Sequence, residues 1–263
     1  MPAARMTAAR FIVRFSINSL TLGDTRYIHM IKANHTGNIM NWTDFTVVFD
    51  LDGTLVDTAP DLHAALVHCF SEKGLPAVTL DTIRHAIGHG ARVMIETCAK
   101  ETGASLTEDE LSAMHKSFLS YYIAHIADFS RPFSGITETL DYLRDKGARL
   151  SVCTNKTQDL AEEVLQTLNL TDYFDSVIGA DKASEKKPSP AHLLEAVSAA
   201  GGIASHSVLI GDSSTDGRSA EAAGIPFILM TYGYLDDAAY DPKRFGQLSD
   251  ANELPGLLES MVS

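Results

Sequence analysis

Four short runs limit the fold more than any other feature of this chain. Thr46-Val-Val-Phe49, Leu150-Ser-Val-Cys-Thr154, Ser207-Val-Leu-Ile-Gly211 and Pro226-Phe-Ile-Leu-Met230 read as strands that are apolar on both faces. Such strands need cover on both sides, as in a parallel sheet between helical layers. Helical patterns lie between them. Ile136 to Lys146 is amphipathic and stops at Gly147. Thr157 to Leu168 opens on a Thr cap. Pro190 to Ala200 has Ser189 as N-cap and Pro190 in the first helical position, and Gly201 ends it. Asp216 to Ala223 ends at Gly224, a residue suited to the left-handed position after a helix. The alternation predicts an α/β fold with a doubly wound, Rossmann-like parallel sheet.

The stretch from about Pro60 to Phe129 breaks the alternation and reads as helices only. Leu62, Leu66, Cys69 and Phe70 form one apolar stripe. Val93, Ile95 and Cys98 belong to a second helix that ends near Gly103. Thr107 to Glu110 is a capping box leading into Leu111, Met114, Phe118 and Tyr121. Pro132 and Gly135 return the chain to the sheet. The expected organisation is a leader over 1–43, an α/β core over 44–60 and 130–263, and a helical insert over 61–129. The leader carries five basic residues against one acidic residue, Asp24. It is expected to be disordered or to precede the true start, for which Met30 and Met40 are available.

Four motifs stand where predicted strands end, and ligands of an open parallel sheet bind at the carboxyl ends of its strands. Asp50-Leu-Asp-Gly-Thr-Leu-Val-Asp57 puts two carboxylates two residues apart. They repel unless a cation or a shared proton compensates, and oxygen ligands alone favour Mg2+. Thr154-Asn155-Lys156 offers a hydroxyl and free N–H groups before a helix, a setting suited to a phosphate oxygen. Lys186-Lys187-Pro-Ser-Pro190 aims an ammonium from a proline-fixed turn. Gly211-Asp212-Ser-Ser-Thr-Asp216 adds a second carboxylate pair. Taken singly, each has a bland reading: an Asp-Gly turn, a helix cap, a solvated basic turn. Together they supply what phosphoryl transfer needs: a nucleophile, a metal site and positive charge for the equatorial oxygens.

The ordered set DLDGTLVD, CTNK, KKPSP and GDSSTD resembles the haloacid dehalogenase superfamily of phosphatases. More narrowly, FDLDGTLVDTAPDL, GHGA, RPFSG, GDSSTDGRSAEAAG and TYGY resemble bacterial phosphoglycolate phosphatases. The resemblance covers about Thr46 to Leu258 and implies that the insert is a mobile cap. It further implies Asp50 as nucleophile and Asp52 as the acid that protonates the leaving alkoxide and then activates water. Mg2+ would be held by Asp50, the backbone carbonyl of Asp52, and Asp212. Thr154, Asn155 and Lys187 would bind the phosphoryl group, and Asp216 would orient Lys187 or the metal shell. Lys187 is preferred to Lys186 because it directly precedes the proline. An acid at Asp52 argues against dehalogenation, which has no alkoxide to protonate.

The expected activity is hydrolysis of a small phosphorylated metabolite such as 2-phosphoglycolate. A pyrophosphatase, a nucleotidase or a sugar-phosphate mutase would share the core. A phospho-receiver module would also carry acidic strand ends, but needs neither the insert nor Asp52. His89 and Arg92, beside the Gly-flanked loop of the insert, are candidates for substrate selection. A net charge of −13 over 263 residues argues against a nucleic-acid partner. No apolar run has the length of a membrane span. The three cysteines, Cys69, Cys98 and Cys153, match no zinc or redox spacing and read as buried thiols of a reducing compartment. A cytoplasmic monomer or homodimer is expected.

Overall fold

The computed structural model describes residues 41–235 and 246–262. Most of the leader, with both alternative start sites, lies outside the described residues.

Six strands form one parallel sheet: β1 (Thr46–Phe49), β4 (Arg149–Cys153), β5 (Ser176–Ile178), β6 (Ser207–Gly211), β7 (Phe227–Met230) and β8 (Gly246–Leu248). Their order is β5-β4-β1-β6-β7-β8, and every neighbouring pair is parallel. The chain runs outward from β1 to β5, returns, and runs outward again from β6, so strand order reverses between β1 and β6. The register aligns Phe49 with Val152 on one side and with Ile210 on the other. Asp50, Thr154 and Asp212 thus leave the sheet at the same edge, on both sides of the reversal, where an open α/β sheet forms a crevice.

Both faces of the sheet are covered. Val47 and Phe49 point into one core with Leu140, Leu143 and Leu258, whereas Val48 points into the other with Leu193, Val197 and Ala220. The alternation along β1 is invisible in its sequence because both sides are apolar. β5 and β8, three residues each, were too short to announce themselves.

Between β2 (Val56–Asp57) and β3 (Arg131–Pro132), an antiparallel pair, the chain forms four helices: α1 (Ala59–Glu72), α2 (Leu80–Arg84), α3 (Ala91–Glu101) and α4 (Glu108–Ala124). The Thr107–Glu110 capping box opens α4, its hydroxyl accepting from Glu110 N–H and the Glu110 carboxylate accepting from Thr107 N–H. Two expectations need correction. Tyr122, not Tyr121, continues the buried stripe of Met114 and Phe118, because the stripe steps by four residues. Val93 is 42% exposed, and Met94 faces inward beside Ile95 and Cys98 instead. Asp61 ties the insert to its return: its carboxylate accepts from Phe129 N–H (3.1 Å), Ser130 N–H (2.7 Å) and Ser130 Oγ–H (2.5 Å).

The core helices are α5 (Ile136–Lys146), α6 (Gln158–Thr167), α7 (Pro190–Ala199), α8 (Ser214–Ala223) and α9 (Leu254–Val262). Gly147 and Gly224 take the left-handed conformation after α5 and α8, at φ +82° and +66°. Two starts differ from the sequence reading. α8 begins two residues before Asp216, since Asp216 is the third residue of a capping box with Ser213. At α6 the Thr157 side chain caps nothing; Asp181 Oδ1 accepts from Gln158 N–H instead. Among the described residues, no helix is long and apolar enough to cross a membrane.

Candidate active site

Asp50 and Asp212 flank the reversal. Asp50 N–H donates to Ile210 O at 2.9 Å, which fixes the nucleophile candidate to the strand beside it. Thr54 Oγ1–H donates to Asp212 Oδ1 at 2.8 Å, and Tyr234 N–H donates to Oδ2 at 2.6 Å. Gly53 lies at φ +89°, and a Cβ there would run into Asp212 Oδ2. The turn that brings the first motif against the fourth therefore requires glycine.

Lys187 joins the two carboxylate pairs. Its Nζ lies 2.8 Å from Asp50 Oδ1 and 2.7 Å from Asp216 Oδ1, and donates to Cys153 O at 2.7 Å. Lys187 is 2% exposed, whereas Lys186 is exposed. Burial alone would discharge the ammonium; Asp216 and Asp50 outweigh it and hold Lys187 above the ordinary lysine range. Asp216 is aimed by its helix start, with Oδ2 accepting from Ser213 N–H (3.2 Å) and Oγ–H (2.6 Å). The Lys187 backbone is held by a residue that sequence reading passed over. Lys187 N–H donates to His192 Nδ1 at 3.2 Å, so Nε2 carries the proton and faces Ile178 O at 3.0 Å. Burial, and then the nearby ammonium, push His192 down to about 4.

Asp52 stands apart from the other carboxylates. Its Oδ1 accepts from Thr58 Oγ1–H at 2.6 Å, and its Oδ2 lies 3.0 Å from Lys156 Nζ. That ammonium sits 5.0 Å from the centre of the Tyr122 ring on α4. Thr154 is buried, and its Oγ1 accepts from Lys156 N–H at 3.1 Å. Asn155 Nδ2 donates to Gly88 O of the insert at 3.0 Å and to Lys187 O at 3.1 Å. A cavity of about 310 Å3 opens between the strand ends and the insert, reaching Asp50, Asp52, Thr154 and Asn155 on one side and Gly88, Met94 and Phe118 on the other. His89 and Arg92 do not line it. Arg92 turns away to pair with Glu108 and Ser112 on exposed surface, because α3 points it across the helix pair and not into the cavity.

Asp50, Asp212 and Asp216 each place an oxygen within 4.8 Å of the others, all buried. Two of the three, Asp50 and Asp216, pair with Lys187, and among the described residues Asp212 has no ammonium against it. Burial, opposed by Lys187, pushes Asp50 up to about 7. Burial, with repulsion from Asp216 and Asp50, raises Asp212 well above the carboxylate range. An all-oxygen, charge-deficient cluster of this kind fits a hard divalent cation.

The sequence profile of the haloacid dehalogenase-like hydrolases matches residues 47–230, a span that holds all four motifs. The chain belongs to this family. It is 43% identical over 192 residues to a phosphoglycolate phosphatase of Caulobacter vibrioides, covering 73% of this chain and 81% of the relative. It is 40% identical over 217 residues to a phosphoglycolate phosphatase of Agrobacterium fabrum, covering 82% and 93%. A crystal structure of a predicted phosphoglycolate phosphatase from Haemophilus somnus superposes with a TM-score of 0.75 at 28% identity, covering 82% of this chain and 99% of that one. This family member is thus a phosphatase-type hydrolase with a Rossmann-like core, and a cluster able to hold a divalent metal stands at its strand ends.

Some site residues left little trace in sequence. His192 and Tyr122 sit on helices whose apolar patterns explain them equally well. Lys156 stood in plain view within the second motif, but nothing in the motif shows that it turns to Asp52. Tyr234, in the late TYGY segment, donates from Oη to Asp57 Oδ1 at 2.5 Å and accepts from Ala59 N–H at 2.9 Å.

Proposed function

We propose that this enzyme is a Mg2+-dependent phosphomonoesterase that works through a phosphoaspartate on Asp50, with 2-phosphoglycolate as substrate. The observation that carries the reading is the separation of two acids. Both reach the cavity, but Asp50 lies within the carboxylate cluster against Lys187, whereas Asp52 lies outside it against Lys156.

An Asp50 carboxylate oxygen attacks phosphorus, and the bond from phosphorus to the ester oxygen breaks. Asp52 gives its proton to the departing alkoxide, releasing glycolate. Asp52 then takes a proton from water as that water attacks phosphorus. The bond to Asp50 breaks, orthophosphate leaves, and both acids return to their starting forms. Thr154 and Lys187 hold the equatorial oxygens, Asn155 supports the loop that carries them, and Asp216 keeps Lys187 charged and aimed. Asp50, the Asp52 backbone carbonyl and Asp212 would hold Mg2+, which would supply the charge neutralisation that lets an anionic nucleophile meet an anionic phosphoryl group. The insert over 61–129 acts as a cap, closing the cavity against water and selecting the leaving group.

The activity named for the relatives supports this substrate over nucleotides. The test is kcat/KM for 2-phosphoglycolate, pyrophosphate, hexose phosphates and nucleoside monophosphates at equal Mg2+. 2-Phosphoglycolate should lead by at least about tenfold, roughly 1.4 kcal/mol of differential transition-state binding. A lead for pyrophosphate or a nucleotide would replace the substrate and leave the chemistry standing.

A further inference from the structure

We propose that Lys156 is a specificity-determining residue on the core side of this site, acting with the cap: it binds the carboxylate of the leaving group. The inference rests on the proposed roles of Asp50 and Asp52 and deepens them.

The two buried lysines divide the site. Lys187 lies against Asp50, on the phosphoryl side, whereas Lys156 lies 3.0 Å from Asp52 Oδ2, on the side where the ester oxygen departs. In 2-phosphoglycolate one methylene separates that oxygen from the carboxylate. An acid in contact with the ester oxygen therefore brings its own ammonium partner within reach of the carboxylate. No other ester in the panel above puts a carboxylate at that spacing.

The cavity offers that group little else. Among the described residues lining it, Lys156 is the one lysine or arginine. His115, the other basic side chain of the wall, is held toward its neutral form by burial and by Arg92. Leu62, Ile87, Met94, Phe118 and Leu119 make much of the remaining wall apolar. A carboxylate placed there without Lys156 would lose its hydration and gain no partner. Tyr122, 1% exposed, lays its ring beside the ammonium and holds Lys156 at the cavity wall from behind. The Lys156 side chain is itself only 5% exposed, so it arrives with its desolvation and its entropy cost already met by the fold.

The experiment compares 2-phosphoglycolate with ethyl phosphate, which keeps the ester and drops the carboxylate, scoring both by phosphate release. Lys156→Met should cut the ratio of their kcat/KM values at least about tenfold, as expected for loss of a charge-assisted contact. Lys156→Arg should restore part of that ratio, and Lys156→Gln, which keeps a polar tip, serves if the Met variant does not fold. Competitive inhibition by glycolate should weaken in parallel in Lys156→Met. Equal losses on both esters would overturn the proposal, leaving Lys156 as a support for Asp52 alone. A wild-type ratio near one would overturn it as well. A wild-type panel led by another ester would remove the substrate reading, yet the ratio would still decide the role of Lys156.

Discussion

The strand-end edge and the helical insert face the same cavity but are built to different rules. On the core side three acidic groups are held from two directions, Asp212 by Thr54 and Tyr234, Asp216 by Ser213 and Lys187, and Asp52 by Thr58 and Lys156, while Asp50 meets Lys187. On the insert side the charged groups pair among themselves at the surface, as Arg92 does with Glu108, Lys73 with Glu110, and Lys100 with Glu96. What the insert gives the cavity is apolar surface and the Gly88 carbonyl that Asn155 grips. On the proposed mechanism the core carries the chemistry, and the insert carries shape. Changes at the core acids should strike turnover, a change at Lys156 should strike selectivity, and changes at the root of the insert should strike stability.

The sharpest break comes from Asp50→Asn, which keeps the shape and removes the nucleophilic charge and a metal ligand. Turnover should fall at least about a thousandfold while the fold survives. Retention of more than a tenth of wild-type turnover would sink the nucleophile assignment.

Asp52→Asn sharpens the division between the two acids. In kcat/KM, which reports only as far as the phosphoaspartate, esters with poor leaving groups should lose most of their rate, and an activated aryl phosphate should lose much less, because its oxygen needs less protonation. Matched losses on both would deny Asp52 its part as an acid.

Asp61 tests the other side of the comparison. It is buried and far from the reacting groups in role, yet it takes three donors from the returning chain. Asp61→Asn places a donor against donors and should cost about 2 kcal/mol in urea unfolding. The loss in turnover should be far smaller than for Asp50→Asn. A thousandfold loss of turnover in a protein of unchanged stability would show that the insert takes part in the chemistry.

The smallest effect should appear at His192. Its folded-state value is about 4 against an ordinary 6.5, so the unfolded chain binds the extra proton between those values. Its contribution to stability is therefore whole above pH 6.5 and lost as pH falls toward 4. His192→Asn keeps an acceptor for Lys187 N–H and cannot titrate. Its melting temperature should fall less than that of wild type across this window, by about 3–5 °C. Parallel curves would mean that the imidazole carries none of the acid sensitivity.

How much was legible in the sequence follows the same division. Asp50, Asp52, Asp212 and Asp216 stood out because each follows a strand or opens the next helix, and sequence position there fixes spatial position. Helix ends were legible wherever a glycine must be left-handed, as at Gly147 and Gly224. Residues that act across the chain were not. His192 reaches Lys187 from one turn inside α7, and Tyr122 reaches Lys156 from a helix of the insert. Such pairings depend on how elements pack, and no local pattern encodes them. The insert shows the limit most clearly: its helices were readable, but Arg92 and His89 looked suited to the cavity and do not line it.

The central claim is a covalent intermediate on Asp50, and trapping it is the most direct test. The enzyme would be mixed with Mg2+ and an aryl phosphate, quenched in acid within the first turnover, and treated with borohydride, which reduces an acyl phosphate. Peptide mass mapping would then locate the change. The account predicts a reduced side chain at position 50, approaching one per chain and absent from Asp50→Asn. Rapid phosphate release with position 50 unmodified, or modification at Asp212 instead, would contradict it.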